Sequence, residues 1–525
     1  MGPVSPPSAA ARARVLAELE RQAWDLVVIG GGITGAGVAQ QAARRGWRVL
    51  LVEQRDFAWG TSSRSSKLVH GGLRYLKEGD IKTTLHSVHE RQRLMREAPE
   101  LVQAQRFLFA DCAGRKPGRW LMQAGLMVYD LMAGQRSHWY ADRQRTLELE
   151  PGLDPPGLRG ALVFADAKTD DARLVQRVLM QAQGDGALCL NYVAATELVL
   201  NDGQVCGVAL QDAVLGGRFV AKARSVVNAT GAWADRLRAN LGARPMLRPL
   251  RGSHLLVPHA RLPVTHSISM MHRQDGRPVF LYPWEGCTLI GTTDLDHRDD
   301  LAQARITPPE VDYLLEAVND QFPQARLMRS DIVSTYAGVR PVVDDGRGDA
   351  SKAPRDHVVK DERGLITLTG GKLTTFRLMA QDALALAAPH AGKPFTRDQS
   401  VVFHPATGCE GWPEPVRQRL AARYGERAAL WAADATADEL GCIAGTQTLW
   451  VELRIAAQHE AVVHLDDLLL RRTRLGLLLP GGALGHLERI RSLTEPWLQW
   501  GDAVWQAELG RYRELIERQH AVPAA

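Results

Sequence analysis

The clearest hydropathic pattern in the chain runs from Asp25 to Val52. Leu26-Val-Val-Ile29 is a short apolar run rich in β-branched residues, and it ends in Gly30-Gly-Gly32. Helix-compatible residues follow to Arg45, and Trp47 to Val52 is again apolar. This order predicts one β-α-β unit. Buried strands are also predicted at Ala161–Phe164, Ser225–Val227 and Leu365–Leu368, the last two entering the glycine-bearing turns Asn228-Ala-Thr-Gly231 and Thr369-Gly-Gly371. Between these markers lie two long stretches, about 83–151 and 232–329. The second carries strand-like pieces such as Val279–Tyr282 and Cys287–Ile290. Beyond Pro394 the texture changes to Ala, Leu, Arg, Glu and Trp at helical spacing.

The predicted fold is therefore α/β: a Rossmann-like nucleotide domain, an inserted sheet-rich substrate domain and a C-terminal α-helical domain. The boundaries read as a flexible leader at 1–23, a nucleotide domain at about 24–82, 152–231 and 330–395, a substrate domain at about 83–151 and 232–329, and a helical cap at 396–525. The length of 525 residues agrees, being too great for one core.

Gly30-x-Gly32-x-x-Gly35 follows the first strand and opens the helix, with Glu53 at the end of the second strand. Gly30 permits the tight turn, Gly32 lets backbone approach a pyrophosphate, and Gly35 allows close packing. The helix N-terminus offers amides and partial positive charge, and Glu53 suits ribose hydroxyls. These features bind FAD or NAD. The hydroxyl-rich Thr61-Ser-Ser-Arg-Ser-Ser-Lys67 and the late turn Thr369-Gly-Gly-Lys-Leu-Thr-Thr375 favour FAD, because the second turn brings amides to a flavin edge.

Charge and cysteine usage narrow the alternatives. The 64 Lys+Arg are nearly balanced by 59 Asp+Glu, a net +5 with no long basic run, which argues against a nucleic-acid module. The six cysteines are scattered with no C-x-x-C pair, so neither a disulfide framework nor a cysteine zinc site is expected, and no metal site is predicted. No apolar run reaches the roughly 18 residues of a spanning helix. No signal-peptide pattern is present, and a reducing, cytoplasmic setting is expected.

Several stretches resemble the FAD-dependent, respiratory glycerol-3-phosphate dehydrogenases, within the D-amino-acid oxidase-like flavoproteins. They are Asp25–Gly37, Thr61–Leu76, Thr169-Asp-Asp-Ala-Arg173, Val227–Gly231, Gly252-Ser-His254, Ile290-Gly-Thr-Thr-Asp294, Tyr336-Ala-Gly-Val-Arg-Pro341, Pro354-Arg-Asp356 and Gly370–Thr375, in family order. Ser-Ser-Lys-Leu-Val-His-Gly-Gly-Leu-Arg-Tyr75 is the most selective; Asp467-Leu-Leu-Leu-Arg-Arg-Thr-Arg474 matches the family's cap less strongly. Ala232 and Thr34 depart from residues common in the family, proline and asparagine.

The resemblance implies oxidation of sn-glycerol 3-phosphate to dihydroxyacetone phosphate, with hydride transfer from C2 to flavin N5 and electrons passing to a membrane quinone. The alternatives are an oxidase using oxygen or another flavoenzyme of the superfamily. It assigns Arg74, Tyr75, His254, Arg340, Arg355 and Lys372 to the substrate pocket. For FAD it implies Gly30, Gly32, Ile33, Thr34, Gly35 and Glu53 at the first turn, and Thr61, Ser62, Ser63, Ser66, Lys67 and Leu68 in the serine loop. Val193, Thr230, Gly231, Gly371, Lys372, Leu373 and Thr374 complete that set.

His70 is the expected base and His254 the rival. An imidazole with an ordinary value near ~6.5 is mostly neutral at pH 7, and adjacent cations keep it so. Arg340 is expected to stabilise the developing alkoxide. Lys116–Met132, with basic residues, Trp120 and Tyr129 among Leu and Met, reads as either an interfacial anchor or a core helix. Peripheral attachment to the inner face of the cytoplasmic membrane is expected, and homodimerisation is left open.

Overall fold

A computed structural model describes residues 9–72, 80–344 and 357–524. Its centre is a six-stranded sheet in the order His357–Glu362, Leu365–Gly370, Val226–Asn228, Leu26–Ile29, Val49–Val52, Leu188–Leu190. All pairs are parallel except the first. Leu26–Ile29 and Val49–Val52 are buried along their whole length, as a sheet covered on both faces requires. The helix Ile33–Ala43 packs between the helices Asp171–Gly184 and Phe376–Ala391. Gly37 permits one of these contacts: a Cβ there would lie 2.8 Å from the Phe376 ring.

The second sheet has nine strands. Its path is Leu295–Asp296, Leu247–Pro258, Cys287–Gly291, Pro278–Trp284, Ser267–Met271, Gln103–Cys112, Leu158–Lys168 and Trp139–Asp142, and Ser334–Val343 also pairs with Leu247–Pro258. Three further strands, Val193–Asn201, Gln204–Asp212 and Arg218–Lys222, form a separate small sheet. The helices Glu414–Tyr424, Trp450–His459, Leu487–Leu498 and Gly501–Gln519 are the longer elements of the C-terminal part.

Three expected boundaries are corrected. Leu158–Lys168 and Ser334–Val343, assigned above to the nucleotide domain, pair within the nine-stranded sheet, because a buried apolar run does not reveal which sheet receives it. The leader contains a helix, Ala9–Leu19; Leu16 and Leu19 are buried and Arg12 is paired with buried Asp212. Val402 and Phe403, assigned to the cap, lie in the core of the nucleotide domain.

Two sequence motifs that lack an obvious chemical role meet at the joint between nucleotide and helical domains. The Asp56 carboxylate accepts from Arg471 Nε at 2.5 Å and from both terminal nitrogens of Arg472 at 2.7 Å. Asp170 accepts from Arg474 Nε at 2.9 Å and Nη2 at 2.8 Å. Asp171 is shared between Arg474 and Lys67, whose ammonium stands 3.0 Å away. In the reverse direction Arg173 of the nucleotide domain pairs with Glu460 of the cap. All these side chains are buried. Burial opposes the charge on Asp170, yet Arg474 and Arg423 hold its carboxyl far below the usual range.

Removing one partner of such a pair leaves a charge in the interior and costs about 3–5 kcal/mol. Arg472→Met is therefore expected to lower the midpoint of the first urea transition by a corresponding amount. Adding Asp56→Asn should recover part of the loss; unchanged unfolding in the single variant would refute the role of the joint.

Candidate active site

The site is built where the two sheets face each other across the serine loop, residues 61–67. At the first glycine turn, Gly30 has φ +114°, a conformation open to glycine, and a Cβ there would approach the Ala229 carbonyl at 2.5 Å. Gly31 N–H donates to Glu53 Oε2 at 2.8 Å, and Arg55 N–H donates to its Oε1 at 2.9 Å. Burial pushes the Glu53 carboxyl up, opposed by these two amides. The Ser62 hydroxyl accepts from Ile33 N–H at 3.0 Å, and a Cβ on Gly32 would come within 3.0 Å of that same oxygen. Thus a bare backbone turn, a helix N-terminus, a hydroxyl and a half-buried carboxylate converge within one loop width. This donor set fits a dinucleotide, with phosphates at the first turn and a ribose at Glu53.

The serine loop is fixed by its own side chains. Thr61 donates to the Val339 carbonyl at 2.5 Å, and Ser65 donates to Asp171 at 2.8 Å. Lys67 has φ +52° and donates to the Ser63 carbonyl and to Asp171, both at 3.0 Å. Its ammonium also lies 4.6 Å from the Tyr336 ring centroid and 5.0 Å from that of Trp284. Burial lowers its proton affinity to a pKa of about 8, with Asp171 opposing. The Lys67 side chain thus holds the loop, and the Ser63 carbonyl accepts from both Lys67 and Arg474. Leu68 is buried and bridges to Lys168; Val193 donates its amide to the Glu53 carbonyl at 2.8 Å.

Ser66 reaches the second sheet, where its hydroxyl is 2.9 Å from His254 Nε2. The His254 ring stacks on Tyr336, centroids 4.6 Å apart and planes at 10°, and a residue larger than Gly291 would strike it. Among the described residues its Nδ1 has no hydrogen-bond partner. Burial, then Arg340, then Lys67 push the His254 pKa well below the usual histidine value, so the ring is neutral at pH 7. Arg340 lies on the neighbouring strand: Nη1 donates to Asp294 Oδ1 at 2.9 Å and Nη2 to Thr292 Oγ1 at 2.9 Å. Gly252 leaves room for this guanidinium; a Cβ there would be 2.7 Å from Arg340 Cζ.

At the other glycine turn, Gly370 and Gly371 have φ of +77° and +70°, and Leu373–Thr375 leads into the helix Phe376–Ala391. The Thr374 hydroxyl donates to the His70 carbonyl at 3.3 Å, tying the His70 loop to this turn. Lys372 donates to Ser87 Oγ at 3.1 Å. Thr369 donates to the Gly231 carbonyl at 3.2 Å, and Thr230 to Asn228 Oδ1 at 2.7 Å. Arg74, Tyr75 and Arg355 lie outside the described residues. Sequence reasoning assigned no side-chain role to Asp171 or Tyr336, although both lie in matched motifs. Tyr336 donates to the Ser65 carbonyl at 2.9 Å, and Tyr282 donates to that of Ser66, so both hold the loop from beneath. Nothing in the sequence around Tyr282 signals this contact.

Fold and site together define an FAD-dependent oxidoreductase. Residues 25–383 match the family described as FAD dependent oxidoreductase, and residues 366–504 match the C-terminal domain of alpha-glycerophosphate oxidase. The aerobic glycerol-3-phosphate dehydrogenase of Staphylococcus aureus is 33% identical over 97% of both chains, and that of Staphylococcus haemolyticus is 33% identical over 87% of both. The glycerol-3-phosphate dehydrogenase from Bacillus halodurans, solved with FAD, has 28% identity and a TM-score of 0.77 over 96% of both chains. The fold also matches L-alpha-glycerophosphate oxidase from Mycoplasma pneumoniae with FAD bound, TM-score 0.57 at 19% identity, covering 73% of this chain and 98% of that one. The chain belongs to the aerobic glycerol-3-phosphate dehydrogenase family.

The depressed His254 value has a pH signature. The unfolded chain takes up this proton near pH ~6.5 and the folded chain only well below it. Its contribution to stability is therefore present above about pH 6.5 and declines as the pH falls toward the folded value. The melting temperature should drop between pH 7.5 and 5, and His254→Gln should flatten that drop. His459 and His520, which burial pushes to about 4, supply a slope common to both proteins. Equal slopes would refute the assignment.

Proposed function

We propose that this protein oxidises sn-glycerol 3-phosphate to dihydroxyacetone phosphate and delivers the electrons to a quinone at the membrane surface. The observation that carries this reading is the set of Arg340, held by Asp294 and Thr292, and neutral His254, bonded to Ser66 of the serine loop, with Lys372 at the second glycine turn. Several cations suit a phosphate dianion better than the single carboxylate of an amino acid. FAD, which the first glycine turn, Glu53 and the serine loop would hold, would supply the two-electron acceptor for the C2 hydride.

The residues of this chain then perform three tasks. Lys372, with Arg74, Tyr75 and Arg355 by resemblance, binds the phosphate and so fixes C2. His70 accepts the C2 hydroxyl proton; its half-buried position beside the Thr374 turn supports that role. Arg340 stabilises the alkoxide that develops as the proton leaves, and its own partners Asp294 and Thr292 keep its fork in one orientation. His254, stacked and bonded to Ser66, keeps an uncharged ring beside Arg340, which avoids like-charge repulsion there.

The membrane contact rests on the helix Arg119–Ala133. Its inner face buries Leu126 and Tyr129, while Trp120 is 74% exposed and Leu131 81%, with Leu121, Met127 and Val128 also outward. Lys116 and Arg119 flank this apolar face, a pattern that suits an anionic bilayer surface. Tyr129 donates to Asp166 at 3.2 Å, and Asp166 accepts from Gly71 N–H at 3.1 Å, so the same helix reaches the loop that carries His70. Among the described residues no helix is long and apolar enough to cross a membrane, and attachment from the cytoplasmic side is part of this proposal.

Glycerol 3-phosphate is expected to bleach the flavin in the absence of oxygen, and glycerol, lactate and glycine are not; bleaching by glycine alone would overturn the substrate. His70→Asn should slow this bleaching by about 10²–10⁴-fold, whereas an unchanged rate would move the base to His254. Reduction of a quinone analogue without substantial peroxide in air is the expected acceptor result; stoichiometric peroxide would mark an oxidase. In flotation with anionic liposomes, replacing Lys116, Arg119 and Trp120 together should lower the bound fraction, and an unchanged fraction would remove this helix from the contact.

A further inference from the structure

Arg340 is oriented by residues 292–294, and that segment is itself held by a carboxylate outside the pocket. Thr293 uses both its backbone and its side chain. Its carbonyl accepts from Arg340 Nη1 at 3.3 Å, and its hydroxyl donates to Glu310 Oε1 at 2.7 Å while accepting from Ser253 N–H at 3.0 Å. Glu310 Oε1 also accepts from the Ser253 hydroxyl at 2.8 Å, one residue before His254. The other oxygen, Oε2, accepts from Arg251 Nη2 and the Thr307 hydroxyl, both at 2.8 Å, and from Thr307 N–H at 2.9 Å. Glu310 is only 3% exposed.

A helix cap requires much less than this. Thr307 and Glu310 form the capping box of the helix Pro308–Gln321, and that box is complete through Oε2. Oε1, which Arg251 Nε reaches only at 3.4 Å, takes its short bonds from Ser253 and Thr293, the residues that border His254 and Arg340. An ionised carboxylate buried among donors is anchored by charge-assisted bonds, which are shorter and stronger than neutral ones. The Ile290-Gly-Thr-Thr-Asp294 motif thereby gains a physical purpose: Thr292 and Asp294 grip the guanidinium, and Thr293 ties the grip to a fixed carboxylate.

We propose that Glu310 is a positioning residue which, through Thr293, sets the orientation of the Arg340 guanidinium toward the reacting oxygen. This rests on the role given to Arg340 above. Displacement of a catalytic group by even about 1 Å can cost two orders of magnitude in rate. Glu310→Ala is therefore expected to slow the limiting rate of anaerobic flavin reduction roughly 10- to 100-fold. Glu310→Gln, which keeps an acceptor for Thr293 and Ser253, is expected to restore most of that rate.

Two further variants separate positioning from general stability. Thr293→Val leaves the cap on Thr307 in place and should be slowed by a factor similar to that of Glu310→Ala; a wild-type rate would overturn the proposal, including when Glu310→Ala fails to fold. Glu310→Ala in an Arg340→Leu background should be no slower than Arg340→Leu alone, because the group it positions is already gone. Multiplicative slowing in that double variant would also overturn it. A wild-type enzyme that glycerol 3-phosphate does not bleach would instead overturn the substrate reading. The orientation itself is then read from a crystal structure of Glu310→Ala or, if that variant does not fold, of Thr293→Val. A shift of the Arg340 guanidinium beyond about 0.5 Å is expected, and an unmoved one would refute the inference.

Discussion

The structure depends on a buried set of ion pairs between Asp56, Asp170 and Asp171 on one side and Arg471, Arg472 and Arg474 on the other. Taking a charge out of water costs several kcal/mol, and attraction in the interior offsets this only where geometry is good and the remaining donors are met. Here they are met: Arg472 also donates to the Glu460 carbonyl at 3.0 and 2.8 Å, and Arg474 to that of Leu470 at 2.9 Å. An apolar joint would allow the helical domain to slide, since hydrophobic contact has no direction. Paired guanidinium forks permit one register. The irregular π-turn Asp467–Arg472 brings the arginines within reach of acids from separate segments of the nucleotide domain.

That register is carried into the site. Arg474 shares Asp171 with Lys67, and Lys67 and Ser65 hold the serine loop through the same carboxylate. Ser66 of this loop then meets His254, and Tyr336 and Tyr282 support it from the second sheet. A cap domain without any proposed contact to substrate thus helps determine where the site's hydroxyls and imidazole stand. The small surplus of positive charge in the composition is a poor guide to this, because the decisive cations are internal and paired. What distinguishes Arg340 from Arg472 and Arg474 is accessibility: its side chain is 26% exposed, and theirs are at most 1%.

Much of the nucleotide site is legible in the amino-acid sequence. Gly30, Gly32, Gly35 and Glu53 announce themselves because backbone strain, close approach and a carboxylate that must meet two backbone amides each restrict residue type at a fixed spacing. Lys67 is legible as important but not in its role: a lysine in a serine-rich loop suggests a ligand contact, and only the buried carboxylate of Asp171 explains where its charge is satisfied. Glu310 is not legible at all. Its sequence context, Thr307-Pro-Pro-Glu310, is that of a helix cap, and its partners come from elsewhere: Ser253 from the strand Leu247–Pro258 and Thr293 from the loop after Cys287–Gly291.

Local sequence thus determined the elements, the first glycine turn with its dinucleotide chemistry, and the family. These follow from short-range rules: apolar runs that must be covered, turns that only glycine adopts, amides that a helix start cannot satisfy internally. Tertiary structure decided which sheet received Leu158–Lys168 and Ser334–Val343, which charges face a ligand and which lock the domains, and how His254 stays neutral. Those outcomes depend on burial and on partners tens to hundreds of residues apart, and neither quantity exists until the chain has folded.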